Sequence, residues 1–200
     1  MKFLTRKRWI AVVLLFSVLP VWALESPQQM IEQTAKRVMD EIKANKAVYE
    51  KEPQRTYDLV DKIVLPHFDF ERMAKLALGK YWRDTTADQR SRFIIEFRNM
   101  LVRTYASSLS EYTDREISYA PDAYSPGMEE LTVKSDVEEP GGFPIPVNYR
   151  VYLHDDQWLV YDVTIDGVSL VTNYRASFAS EIRKNGMDAL IAKLAERSGR

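Results

Sequence analysis

The sequence predicts an α+β fold, with helices packed on a curved, mostly antiparallel four-stranded sheet. Three observations predict it. From Ser26 to about Tyr112, apolar residues recur at three- and four-residue spacing, the period of an amphipathic helix. From Arg115 to about Ile165 the period falls to two, or the run is apolar on both faces, as in strands. Beyond Val171 the helical spacing returns. Helices and strands segregated in this way read as α+β rather than as alternating βαβ units. No internal repeat, low-complexity segment or second domain interrupts the pattern.

Ser26-Pro27 opens the first helix, with a serine at the N-cap and proline at the first helical position. Met30 or Ile31, Thr34 or Ala35, Val38, Met39 and Ile42 make one apolar stripe against Lys, Glu and Asp. This helix fades at Lys43 to Lys46 and has ended by Pro53. A shorter one follows, with Tyr57, Val60, Ile63 and Val64 inward, and Pro66 ends it by forcing its predecessor out of helical geometry. Asp69 is placed to cap a helix from Phe70 to Leu78, which Gly79 closes, with Met73, Leu76 and Ala77 inward. Thr86 and Gln89 form a capping-box pattern. They start the longest helix, from Ala87 to about Tyr112, whose stripe is Phe93, Phe97, Met100 or Leu101, Thr104 or Tyr105, and Leu109.

Ile117 to Tyr119 is a short strand, and Leu131 to Val137 alternates as a second. Pro140-Gly141-Gly142 turns the chain into Val147 to Leu153, where Val147, Tyr149, Val151 and Leu153 share one face. His154-Asp155-Asp156-Gln157 is a short hairpin connection to Trp158 to Ile165, a strand apolar on both faces apart from Asp162 and the Thr164 hydroxyl. Asp166-Gly167 turns again, Val168 to Val171 stays apolar, and a helix begins near Thr172 or Asn173. Asn185-Gly186 ends it near Lys184, and Asp188 is placed to cap a last helix through about Arg197.

The N-terminus reads as a secretory signal peptide over residues 1–23. Lys2, Arg6, Lys7 and Arg8 precede an apolar run of about eleven residues, where a membrane span needs about twenty. Pro20 breaks the run, and Val21-Trp22-Ala23 precedes a cut after Ala23. Residues 24–200 are then a single domain, large enough to bury a core. The cut removes four of the 28 basic residues and none of the 29 acidic ones, leaving a formal charge of −5. An acidic domain argues against nucleic acid as a partner, because phosphate binding needs a basic footprint. There is no cysteine, hence no disulfide, thiol nucleophile or lipid-modified cysteine. An exported, untethered protein of the bacterial periplasm fits these features.

Catalytic and metal chemistry find little support. The two histidines are His67, in a proline-bounded corner, and His154, in a hairpin loop. There is no nucleophile elbow, phosphate-binding loop or dinucleotide motif, and no His or Cys pair at metal-ligand spacing. Asp162 stands out inside an apolar strand, where a buried carboxylate needs partners. It reads as a tie to Arg175, Arg150 or a backbone turn, or alternatively as a general base facing a cavity. A lone carboxylate on an open cavity would support the second reading, and one bonded to an arginine or a helix end would sink it.

Trp158 to Phe178, W-x-V-Y-D-V-x-x-x-G-V-S-L-V-x-N-Y-R-x-x-F in outline, resembles the signature of the MlaC (toluene-tolerance, auxiliary-transport) family of periplasmic phospholipid-binding proteins. Leu65-Pro66-His67-Phe68-Asp69-Phe70, Leu78-Gly79-Lys80-Tyr81-Trp82-Arg83, Gln89 with Phe93 and Phe97, and Thr104-Tyr105 followed by Tyr112 agree with it in order, over about residues 60 to 195. The resemblance implies a cone-like fold similar to nuclear transport factor, with an apolar cavity between sheet and helices. It implies a monomeric, non-enzymatic carrier without a cofactor, holding a diacyl phospholipid with its tails inside. The carrier would shuttle between an inner-membrane ABC transporter complex with an MCE-type subunit and an outer-membrane lipoprotein–porin complex, maintaining outer-membrane lipid asymmetry. On that layout the cavity-lining candidates are Phe97, Leu101, Tyr105, Val147, Tyr149, Val151, Val160, Val163, Val168 and Leu170, while Lys75, Lys80 and Arg83 are candidates for its rim. The alternative is a cone-fold isomerase or lyase with Asp162 as base. A third reading is an exported adaptor with a filled core.

Overall fold

A computed structural model describes residues 25–106, 109 and 112–198. The expected signal peptide, residues 1–23, lies outside the described residues. Helix α1 (Pro27–Ala44) starts on a complete capping box, in which Gln29 N–H donates to Ser26 Oγ and Ser26 N–H to Gln29 Oε1, each at 3.2 Å. Where the sequence only fades, Asn45 introduces a short helix α2 (Lys46–Lys51). Helix α3 (Gln54–Ile63) runs into a 3-10 turn over Leu65–His67. Helix α4 (Phe70–Leu78) is capped by Asp69, whose Oδ1 accepts from Arg72 N–H at 2.8 Å. Gly79, at φ 55°, closes it in a conformation that disfavours any residue with a Cβ. Helix α5 (Ala87–Tyr105) begins on the Thr86–Gln89 capping box and ends at Tyr105. The continuation to about Tyr112 expected from the sequence falls partly outside the described residues.

Among the described residues the sheet has five strands, not four: β1 (Ile117–Tyr119), β2 (Glu130–Val137), β3 (Ile145–His154), β4 (Gln157–Ile165) and β5 (Val168–Ser169). They pair in chain order, all antiparallel. The fifth strand escapes a periodicity reading because it is two residues long. Asp166 and Gly167, at φ 48° and 77°, fold it back so that Val168 pairs with Ile165. Asp155 and Asp156, at φ 46° and 59°, make the matching two-residue turn between β3 and β4. Aspartate tolerates that region better than most residues, which is why an acidic pair can stand there. A bulge between Arg150 and Val151 shifts the β3–β4 register, so that Val151 faces Val160 while Arg150 faces Asp162.

Helix α6 (Leu170–Asn185) begins earlier than expected, because Ser169 caps it directly off β5. Gly186, not Asp188, stands at the N-cap of α7 (Met187–Arg197). Asp188 instead receives Arg92 at 2.6 Å and Gln89 at 2.9 Å, tying α7 to α5.

The apolar interior is divided. One cluster lies among α4, α5, α6 and α7, built around Phe93, Phe97 and Phe178, with ring centroids 5.5–5.6 Å apart. A second covers the inner sheet face, with Val133, Val151, Trp158, Val160 and Val163 under Met30 and Ile31 of α1. A third, Val38, Ile42 and Leu59, joins α1 to α3. One contiguous core per domain is the usual arrangement.

Candidate functional site

A hollow of about 500 Å³ lies where the three clusters would otherwise meet. Its wall takes Met73 and Leu101 from the helical cluster, Met30, Ile31, Val160 and Val163 from the sheet cluster, and Val38 from the third. The sheet contributes Val147, Tyr149, Ile145, Ile165, Val137 and Ile117. The register explains this set. Ile145 pairs with Val137, Val147 with Ile165, and Tyr149 with Val163, and directly paired residues share a face. The opposite wall is the stripe of α1, with Thr34, Ala35 and Met39 as well as Val38, joined by Val60 of α3 and by Val64 and Leu65 beyond it. Leu101, Val102 and Tyr105 close one side from α5.

Polar atoms in this wall are few and uncharged at neutral pH. His67 is half-buried, and burial first, then Arg37, hold its imidazole below the usual histidine range against the opposing pull of Glu25. Burial, with Tyr174 beside it, pushes the Tyr105 hydroxyl up to about 12. Burial also raises Tyr149. A volume of this size falls within the range of about 300–1,000 Å³ usual for ligand pockets. A wall of aliphatic side chains with neutral hydroxyls and a neutral imidazole suits a flexible apolar chain, and offers no pair of charges to a polar substrate.

Of the ten residues expected at the cavity, Leu101, Tyr105, Val147, Tyr149, Val160, Val163 and Leu170 line the hollow. Three stand elsewhere. Phe97 is fully buried in the helical cluster, stacked on Phe93. Val151 is fully buried within the sheet cluster and does not line the hollow. Val168 is 51% exposed: it pairs with Ile165 but sits on the two-residue edge strand β5 and does not line the hollow. Lys75, Lys80 and Arg83 are exposed and do not line the hollow. The contributions of α1, α3 and the Leu65–Phe70 corner were absent from the expected set. Their helical stripe is visible in the sequence, but a stripe reads the same against a filled core as against a void.

Asp162 does not face the hollow. It is 3% exposed, and its carboxylate oxygens lie 3.0 and 2.8 Å from Ser169 Oγ, with Val171 N–H donating at 3.3 Å. A carboxylate held by a helix N-terminus is a structural tie, which removes the geometric basis for a general base there. Arg175, an expected partner, instead donates to Leu76 O at the end of α4, at 3.0 and 2.7 Å. Among the described residues no group of three or more His, Cys, Asp or Glu gathers to hold a metal. No described helix is long and apolar enough to cross a membrane.

A five-stranded antiparallel sheet closed by helices over an apolar hollow defines a class of α+β proteins built around an internal cavity. Within that class, residues 32–196 match the MlaC protein family, and the chain belongs to it. Two relatives are the toluene tolerance protein ttg2D of Pseudomonas putida and the intermembrane phospholipid transport system binding protein MlaC of Haemophilus influenzae. The first is 28% identical over 92% of this chain and 85% of its own length. The second is 25% identical over 84% and 80%. The fold is similar to that of a phospholipid-binding protein from Ralstonia solanacearum solved in complex with a phospholipid. That match has a TM-score of 0.79 and 28% identity, and covers 87% of this chain and 97% of that one.

Proposed function

We propose that this protein is a phospholipid carrier of the periplasm, holding acyl tails in the hollow with the headgroup at its mouth. The observation that carries the reading is the uncharged apolar hollow of about 500 Å³ in a chain whose structural relative was solved with a phospholipid. The seven expected residues that line the hollow, together with the α1 stripe, are the proposed tail contacts. The carrier takes lipid from one membrane complex and delivers it to another: an inner-membrane ABC transporter with an MCE-type subunit, and an outer-membrane lipoprotein–porin complex. Removal of the signal peptide, residues 1–23, accompanies export. Maintenance of outer-membrane lipid asymmetry is the physiological outcome of this reading.

The magnitudes suit a closed carrier. Each buried methylene is worth about 0.8 kcal/mol, so exposing a tail of roughly sixteen carbons to water costs about 12 kcal/mol. Release into solvent is then too slow for transport, and delivery needs a continuous apolar path. Exchange with a bilayer or an apolar conduit is nearly balanced, because the tail passes between two apolar media.

Native mass spectrometry of protein purified from its own periplasm tests the reading, with solvent extraction and lipid identification. The expected result is a discrete added mass matching phospholipid, released on denaturation. A clean ligand-free mass under gentle ionisation, with no phospholipid in the extract, overturns it.

A further inference from the structure

One end of the sheet differs from the rest of the surface. Phe143, in the connection between β2 and β3, is 94% exposed. Two residues further on, Ile145 enters the wall of the hollow opposite Val137. The neighbouring row runs Val147, Ile165, Val168 across three strands, the first two lining the hollow and the third half exposed. Asp166 N–H donates to Pro146 O at 2.9 Å, so the β4–β5 turn lies beside the β2–β3 connection. Apart from Ser135, which pairs with Val147 and donates to its carbonyl at 2.7 Å, these paired rows are apolar from the wall of the hollow to the exposed side chains at the sheet end. A fully exposed phenylalanine in such a place marks an interaction site more readily than one scattered on the surface.

The charges around this end are acidic. Along β1, β2 and the turns beside them, Glu116, Asp136, Glu138 and Asp166 are exposed, with no ion pair among the described residues, and Lys134 is the exposed cation on those two strands. Glu139 is matched by Arg115 at 3.3 Å. An acidic ring is repelled by anionic lipid at a membrane surface. It is equally repelled by the same ring on a second copy, since like charges placed opposite one another disfavour an interface.

We propose that this sheet end, with Phe143 at its tip, is the docking surface for a partner protein presenting an apolar lip ringed by basic side chains. The inference rests on the carrier reading, because the apolar rows supply the path that tail transfer requires. Phe143 and Val168 enter the partner's lip, and the acidic ring sets orientation and speeds encounter.

The test uses the full mature chain with three probes: native membrane vesicles from the source cell, protein-free liposomes made from the same lipid extract, and the chain itself in sedimentation velocity. Co-sedimentation with native vesicles is expected, together with its absence from liposomes and a monomer in solution. Phe143→Ser and Glu138→Lys are each expected to weaken vesicle binding roughly tenfold, the size of a substantial interface contact. Ile95→Ser, an exposed apolar position on α5, is expected to leave binding unchanged. Circular dichroism and lipid content by native mass spectrometry accompany each variant, so an unfolded or empty protein is not mistaken for a docking defect. Equal binding to liposomes overturns the proposal in favour of the bilayer as occupant. Self-association abolished by Phe143→Ser overturns it in favour of a second copy. Absence of vesicle binding, or wild-type binding by both sheet-end variants, also overturns it. If the wild-type chain binds vesicles through Phe143 but carries no lipid, the carrier reading fails while the docking surface stands.

Discussion

Ser169 lies against Asp162 in a way that joins a strand to a helix. Its Oγ sits 3.0 and 2.8 Å from the two carboxylate oxygens and accepts Thr172 N–H at 3.0 Å. The hydroxyl proton therefore points to Asp162, leaving lone pairs free for the N-cap of α6. Val171 N–H at 3.3 Å adds a second donor, and the negative charge stands at the positive end of the helix. This one contact sets where α6 departs from the sheet, and with it the position of Leu170 in the wall of the hollow.

The first prediction follows from that contact. Asp162→Ala removes the buried acceptor of the half-buried Ser169 hydroxyl and of a helix N–H, and is expected to cost about 2–4 kcal/mol by urea unfolding. Asp162→Asn keeps the shape but offers only one acceptor oxygen, and is expected to cost about 1–2 kcal/mol. A substitution that left the unfolding midpoint unmoved would contradict the structural role.

On the outer face, Arg72 lies over two rings at once, 4.1 Å from the centroid of Tyr152 and 3.9 Å from that of Tyr161, and donates to Glu130 at 2.9 Å. Tyr152 hydrogen-bonds Asp69 and Tyr161 hydrogen-bonds Glu130, so α4 is fastened to β2, β3 and β4. Arg72→Lys keeps the charge but loses the planar stack and the fork of donors. A loss of about 1 kcal/mol is expected by urea unfolding, with Arg72→Met costing about as much or somewhat more. Equality of the lysine variant with wild type would show that charge alone is used.

The legible parts of this fold are the local ones. The capping boxes at Ser26 and Thr86, the cap at Asp69 and the glycine stop at Gly79 each depend on residues within four positions, and each stands as the sequence reads. Asp188 reads equally well as a cap, but Arg92, far away in sequence, takes its carboxylate. Val168 reads as a cavity residue because it is apolar and beside a strand, yet it stands 51% exposed on a two-residue edge strand, which no periodicity reveals. The bulge between Arg150 and Val151 leaves Tyr161 as the extra residue of β4, so Trp158 and Val160 before it and Val163 and Ile165 after it all face inward, a change of phase that strict alternation does not show. For the hollow, helical and strand periods identify apolar faces but not the distance between them. That distance follows from the tie of Asp162 to α6 and from Asp69 N–H donating to Val160 O at 2.9 Å.

His67 gives a pH-dependent prediction. Burial and Arg37 depress its basicity in the folded protein, while Glu25 works the other way. The unfolded chain therefore binds the proton more readily than the folded one. The resulting contribution to stability is whole above about 6.5 and is lost as the pH falls from there through the depressed folded value. Replacing His67 by Phe removes this contribution. Urea midpoints of wild type and His67→Phe are expected to run parallel above neutrality and to diverge in the acid range, with the variant falling less steeply. Parallel curves throughout would mean that His67 is solvated as in the unfolded chain.

Ala35 offers the sharpest distinction between a void and a core. Its methyl group faces the hollow from α1, beside Thr34 and Val38. In a packed interior, enlarging a side chain by a ring forces neighbours off their rotamers and costs about 1–3 kcal/mol. Into an open volume of about 500 Å³ a ring can enter without displacement. Only the lower helix propensity of Phe, about 0.5 kcal/mol, then opposes the gain from the added apolar contact. Ala35→Phe is therefore expected to change stability by less than about 1 kcal/mol, while the ring occupies space that the tails need. Native mass spectrometry of the variant, purified alongside wild type, should show a reduced phospholipid adduct. A loss of more than about 2 kcal/mol with the adduct retained would mean that Ala35 is packed and that the tails lie elsewhere.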